Sequence, residues 1–148
     1  MTSRSFLLFV LLLTACLLSS CAGGFDRRWR AAAGAPTAGG LTGRWDGIWR
    51  SETNGHDGRL RCIVRLTEHP DICRFDYGGS FAGIFRFHYT VDCAVRRRGR
   101  NWAIKGESDL GWKGGVFSHE GTVADGKFRA AYQSARDRGV FEMTRPVP

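Results

Sequence analysis

Gly43-Arg44-Trp45-Asp46-Gly47-Ile48-Trp49-Arg50 puts Trp45, Gly47 and Trp49 on one side of an extended chain and Arg44, Asp46 and Arg50 on the other. Alternation with period two marks a strand with one buried face. The same period continues downstream. Leu60, Cys62, Val64 and Leu66 oppose Arg59, Arg61 and Arg65, and Phe85, Phe87, Tyr89, Val91, Cys93 and Val95 oppose Arg86, His88, Thr90 and Asp92. Near the end Phe141 and Met143 oppose Glu142 and Thr144. The pattern predicts eight strands, over about 44–51, 59–67, 72–77, 83–95, 101–107, 115–123, 128–134 and 139–145. Turn formers separate them, among them Asn54-Gly55, His69-Pro70, Gly78-Gly79, Arg98-Gly99-Arg100 and Asp125-Gly126. One charged face on each strand excludes a membrane-spanning barrel, whose outer wall must be apolar. The expected fold is all-β: a small antiparallel up-and-down barrel of about eight strands, occupying 43–148.

Composition agrees. Of 148 residues, 43% are hydrophobic and 12% aromatic, enough for a core in one small domain. Twenty glycines against four prolines favour short strands and tight turns. The formal charge of +8 favours anionic partners. Lys105, Lys113 and Lys127 are the only lysines, so the charge is carried by arginine, which holds phosphate bidentately. A GC-rich codon supply produces the same bias.

Upstream of the strands, Arg4 precedes the apolar run Phe6–Leu13, which has the n- and h-regions of a secretory signal and is too short to span a bilayer. Leu18-Ser19-Ser20-Cys21 then resembles the lipobox of bacterial lipoproteins. The resemblance implies a signal peptide over 1–20, cleavage before Cys21 and acylation there, palmitate included. Leu13-Thr14-Ala15-Cys16 is the alternative, less suited because Leu17-Leu18 follow it whereas Ala22-Gly23-Gly24 look like a mature linker. Several acyl chains hold a protein on a bilayer far better than one. Position 22 is Ala, not the Asp of the inner-membrane retention rule, so the expected location is the cell envelope, on the outer membrane if the host has one. The lipidated Cys and a flexible linker fill 21–42. Phe25-Asp26-Arg27-Arg28-Trp29-Arg30 interrupts that linker and is either a cationic aromatic contact with headgroups or plain spacer.

Gly43-x-Trp45 at the first strand, with Arg145 at the last, resembles the calycins, the lipocalin-like barrels. That resemblance implies a barrel whose floor is closed by Trp45 with Arg145 packed across it. No other lipocalin signature is present.

Alternating strand directions gather the loops near 52–58, 78–82, 108–114 and 135–138 at one end, and those near 68–71, 96–100 and 124–127 at the other, where the chain enters the first strand. The second end holds Arg96, Arg97, Arg98 and Arg100, expected to face anionic phospholipid headgroups beside the tether. The first collects Asn54, His56, Asp57, Asp109 and Trp112, with Ser80, Arg136 and Asp137, as a candidate ligand-binding mouth. Turn chemistry alone also explains Asn54-Gly55 and Asp57-Gly58.

Little else carries chemistry. Cys62, Cys73 and Cys93 fall on the apolar parity; Cys62 and Cys73 could bridge neighbouring strands, or all three could be buried thiols. His56, His69, His88 and His119 are scattered, His88 and His119 on opposite parities, and no C-x-x-C or H-E-x-x-H is present, so no metal or cofactor is expected. Glu120 falls at a possible interior parity. No nucleophile elbow supports a catalytic triad, and nucleic acid is not an expected partner of an exported protein. The sequence therefore reads as a lipid-anchored, non-catalytic envelope barrel that binds a small molecule or an envelope component at its mouth. The alternative is an envelope hydrolase using His56, Asp57 and Asp109.

Overall fold

A computed structural model describes residues 23–35, 37, 40–109, 111 and 115–147. The signal-like segment, Cys16, Cys21 and Trp112 lie outside the described residues. Eight strands, β1 (Gly43–Ser51), β2 (Asp57–Leu66), β3 (Ile72–Phe81), β4 (Phe85–Arg98), β5 (Asn101–Asp109), β6 (Val116–Ala124), β7 (Lys127–Gln133) and β8 (Arg138–Thr144), follow one another as antiparallel neighbours and close into a barrel. Closure pairs β1 with β8, with Gly47 opposite Met143 and Trp49 opposite Phe141. The strand that opens the fold is therefore also the strand that seals it.

The interior parity is the apolar one. Trp45, Leu60, Cys62, Val64, Phe75, Tyr77, Cys93, Ile104, Val123, Phe128, Phe141 and Met143 form one buried cluster. The outer parity carries charge, paired across strands as Arg59 with Asp46 (2.6 Å) and Arg74 with Asp92 (2.7 Å). Glu120 belongs to this outer face and is exposed, not interior. Gly47 sits where β1 lies close against β8: a Cβ there would collide with the Glu142 carbonyl, so only glycine allows the two backbones to approach.

Several boundaries differ from the expected ones, and β4 runs through Arg96, Arg97 and Arg98, expected in a loop, so that only Gly99 and Arg100 form the turn. Gly78 and Gly79 do not break the chain; β3 runs through them to Phe81, and the turn falls at 82–84, with Ala82 and Gly83 at φ of 51° and 70°. Phe25 lies against Gly78 and Phe87 against Gly79 where Cβ atoms would stand, so these glycines make room for rings. The β3–β4 hairpin consequently reaches further than expected. The ladder between β4 and β5 spans only Cys93–Arg98 against Asn101–Gly106.

The segment expected to be a flexible spacer is also structured. Residues 23–31 form a helix, α1, followed by a 3-10 turn at Ala32–Gly34. Phe25 and Trp29, one turn apart, pack on Ile63, an outward residue of β2, with Ala32 against the same cluster. Arg61 lies over both rings, at 5.1 and 5.2 Å, and pairs with Asp26 at 2.6 Å. Beside it, Arg28 donates to Asp76 at 2.8 Å. Asp76 is an outer-face carboxylate on β3, 1% exposed. Burial pushes its pKa up, but hydrogen bonds from His88 (2.5 Å), Arg28 and Thr90 (2.9 Å) outweigh this and hold it below the usual range. An apolar rib and an ion pair to the buried Asp76 thus hold α1 on the wall.

Cys62, Cys73 and Cys93 are free and buried. The bridge considered from sequence does not form, because register places Cys62 opposite Tyr77 and Cys73 opposite Leu66, four residues along the ladder. Burial raises all three thiol pKa values, that of Cys93 to about 12. The folded protein should therefore resist alkylation by iodoacetamide at neutral pH and take up three equivalents between 62 and 93 once unfolded. Rapid labelling of the native protein would contradict this placement.

Candidate functional site

The two ends of the barrel differ in kind. At the floor, Trp45 is fully buried, meets Phe128 edge-on at 5.7 Å and donates from Nε1 to the Leu41 carbonyl at 2.9 Å. Arg145 lies across its ring, Cζ 3.8 Å from the centroid, and donates to the carbonyls of Gly40 and Arg44 at 2.7 and 3.1 Å. This is the Trp-under-Arg floor that the calycin resemblance implied. It closes that end.

At the mouth the sequence candidates have partners of their own. Asn54 Oδ1 accepts from the His56 backbone at 2.9 Å, and Asp109 Oδ1 from the Gly111 backbone at 2.8 Å, so both carboxamide and carboxylate serve their own turns. Asp57 is exposed at the start of β2. The His56 ring packs against Phe81 at 4.9 Å. Among the described residues no hydrogen bond joins His56, Asp57 and Asp109, so the arrangement assembles no nucleophile, base and orienting group. Asp137 is structural: Ser51 donates to it at 2.6 Å and Tyr132 at 2.9 Å, tying the loop after β1 to the turn before β8. No group of three or more His, Cys, Asp or Glu side chains is placed to hold a metal among the described residues.

What the mouth does present is aromatic. Trp49 donates from Nε1 to the Ser80 carbonyl at 2.9 Å, which fixes its ring between Phe81 and Phe87, each 6.2 Å away. Phe81 in turn stacks on Phe85 at 6.2 Å. Phe85 and Phe87, which parity alone would bury as barrel filling, are 65% and 37% exposed because the β3–β4 hairpin overshoots its neighbours. Below them Tyr89 stacks on Tyr77 at 4.9 Å and meets Phe117 edge-on at 5.6 Å. Deeper still is His119, 2% exposed, its Nε2 3.1 Å from the Tyr77 hydroxyl and 3.5 Å from Cys93 Sγ. Burial drops the His119 pKa to about 4 and raises those of Tyr77 and Tyr89 well above the usual phenol value, so all three are neutral at pH 7.

A column of rings thus descends from the rim to a neutral polar pair. Two of its polar atoms, Tyr89 Oη and His119 Nδ1, are buried with no hydrogen-bond partner among the described residues. Such atoms are uncommon in native interiors, where water or a ligand normally satisfies them. None of this column was in the candidate set. The available signal was the run Tyr77–Phe85, nine residues without a charge in a chain otherwise rich in arginine.

No protein-family model matches the chain, and no curated protein is similar to it in sequence. Among solved structures, a de novo designed fluorescence-activating β-barrel is similar, with a TM-score of 0.52 and 18% sequence identity over 74% of this chain and 97% of that one. At that identity the likeness concerns the fold: a small closed antiparallel barrel.

Proposed function

We propose that the protein is a non-catalytic binding barrel, tethered in the cell envelope by a lipidated Cys21, whose mouth takes a small, largely apolar ligand or the apolar part of an envelope component. The aromatic column from Phe85 to His119 carries the reading. Rings already held in place by their neighbours offer wide contact at little entropic cost, and the unsatisfied Tyr89 hydroxyl offers one specific hydrogen bond. The designed barrel of similar fold is described as fluorescence-activating, which supports a receptor's use of such a scaffold. Asp109 holding its own turn, with no hydrogen bond joining it to His56 or Asp57 among the described residues, supports binding over hydrolysis. With the host's two membranes, if it has them, the outer is the proposed location.

N-phenyl-1-naphthylamine, an uncharged apolar fluorophore, should bind saturably with enhanced emission. Phe87→Ala should weaken that binding about tenfold, the equivalent of roughly 1.4 kcal/mol of lost ring contact. Non-saturable uptake, or saturable binding indifferent to both Phe87→Ala and Tyr89→Phe, would remove the mouth as the site. For the tether, labelled palmitate should enter the wild type and disappear in Cys21→Ala. Label that persists would move the anchor to Cys16.

A further inference from the structure

We infer that the protein sits mouth-down on its membrane, with the uncharged tip of the β3–β4 hairpin, Ile84 and Phe85 foremost, entering the lipid surface beside the anchored N-terminus. The inference rests on the lipid-anchored reading above and on Cys21 as the acylated residue.

The direction of α1 leads to it. The Phe25 ring lies against Gly78, and Asp26 reaches Arg86 at 3.4 Å, both towards the mouth end of their strands. Two residues later on the helix, Arg28 pairs with Asp76, further from the mouth along β3. Trp29 then lies 5.1 Å from the Arg44 guanidinium, next to the floor. So although the chain enters β1 at the floor, α1 has come down the outer wall to reach it, and Gly23 stands at its mouthward end.

Reach then decides the orientation. Cys21 lies two residues before Gly23, and two extended residues span at most about 7 Å. The nine residues of α1 extend about 13 Å in the opposite direction. While α1 stays docked, Cys21 cannot come level with the β4–β5 turn at Gly99–Arg100, and a bilayer holding its acyl chains meets the mouth side of the wall first.

The surface found there suits lipid. Ile84 is 79% exposed at the turn, next to the exposed Phe85. Arg86 follows immediately on β4, and exposed Arg27 projects from α1. Apolar and aromatic side chains with cations beside them suit an interfacial contact on anionic lipid. A mouth held in this position would take its apolar ligand from the lipid phase.

The full chain, processed and purified with its anchor, can be placed in vesicles of phosphatidylethanolamine and phosphatidylglycerol. A nitrobenzoxadiazole label is attached at Ile84→Cys or, in a second variant, at Arg100→Cys, with the unsubstituted protein controlling for Cys62, Cys73 and Cys93. The label at 84 should shift to the blue and be quenched by spin-labelled lipid, while the label at 100 stays in water. Exchanging Phe85→Asp in the first variant should abolish that quenching. Quenching at 100 but not 84, quenching at neither, or a blue shift at 84 that needs protein concentration rather than vesicles, overturns the inference; the last identifies a second copy as the occupant. Intact mass of the same samples reads the anchor separately. An acylated Cys21 with the wrong orientation sinks this inference alone, and an unacylated Cys21 sinks the tether with it.

Discussion

Trp45→Ala should destabilise the protein by about 3–5 kcal/mol, the usual cost of removing a fully buried large aromatic. The effect has three sources. The ring's contact with Phe128 is lost, its Nε1 hydrogen bond to the Leu41 carbonyl is lost, and Arg145 loses the face on which its guanidinium lies. Arg145 is itself half-buried, and burial already depresses its pKa, so leaving it without the ring exposes a charge to a poorly filled floor. Trp49→Ala should cost much less, because that ring is at the mouth and partly solvated. Urea unfolding followed by far-UV circular dichroism measures both. A loss below about 1 kcal/mol for Trp45→Ala would show that the floor is not a keystone of the barrel.

The second large effect is in acid. His119 is held neutral by burial, its pKa near 4 against 6.5 for the free side chain. Between those values the unfolded chain binds a proton that the folded protein refuses, so stability falls as pH drops from 6.5 towards 4. The loss over that window should be about 3 kcal/mol, since each pKa unit corresponds to roughly 1.4 kcal/mol. The lowered carboxylates act elsewhere: the pKa values of Asp26, Asp76, Asp92 and Asp137 lie below the ordinary 3.8, so their contributions are present above it and disappear only under stronger acid. His119→Gln should therefore flatten the profile between pH 6.5 and 4 while leaving the steeper acid limb in place. Equal slopes in the two proteins across that window would rule out His119 as the group responsible.

The wall of the barrel was legible because period two has a direct physical cause: each strand buries one face. Which loops share an end followed from chain direction alone, and Arg145 across Trp45 from the resemblance to the calycin barrels. α1 was not legible, because its Gly- and Ala-rich surroundings read as spacer and its apolar spacing, Phe25, Trp29 and Ala32, is too short to be persuasive without the receiving surface at Ile63 and Gly78. The exposed rings Phe85 and Phe87 lie at the end where the mouth loops were expected to gather, but they were not among the polar residues expected there. Polar turn residues such as Asn54 and Asp109 attract attention in a sequence, yet their side chains are occupied by their own backbone. Phe85 and Phe87 looked like core by parity, and His119, next to Glu120 at its possible interior parity, did not. Their exposure or isolation depends on how far one hairpin extends past its neighbours, which no single strand's pattern records.

The seam between β1 and β8 constrains how the chain acquires its shape as it is made. Asp46 must wait for Thr144, close to a hundred residues later in synthesis, before its strand has a second neighbour. Until then a nascent β1 offers an open edge bearing Trp45 and Trp49, a template for pairing with other chains. Contacts of such long separation form late and slowly. A molecule sealed by its first and last strands therefore keeps a pairing edge open until the last of them is available.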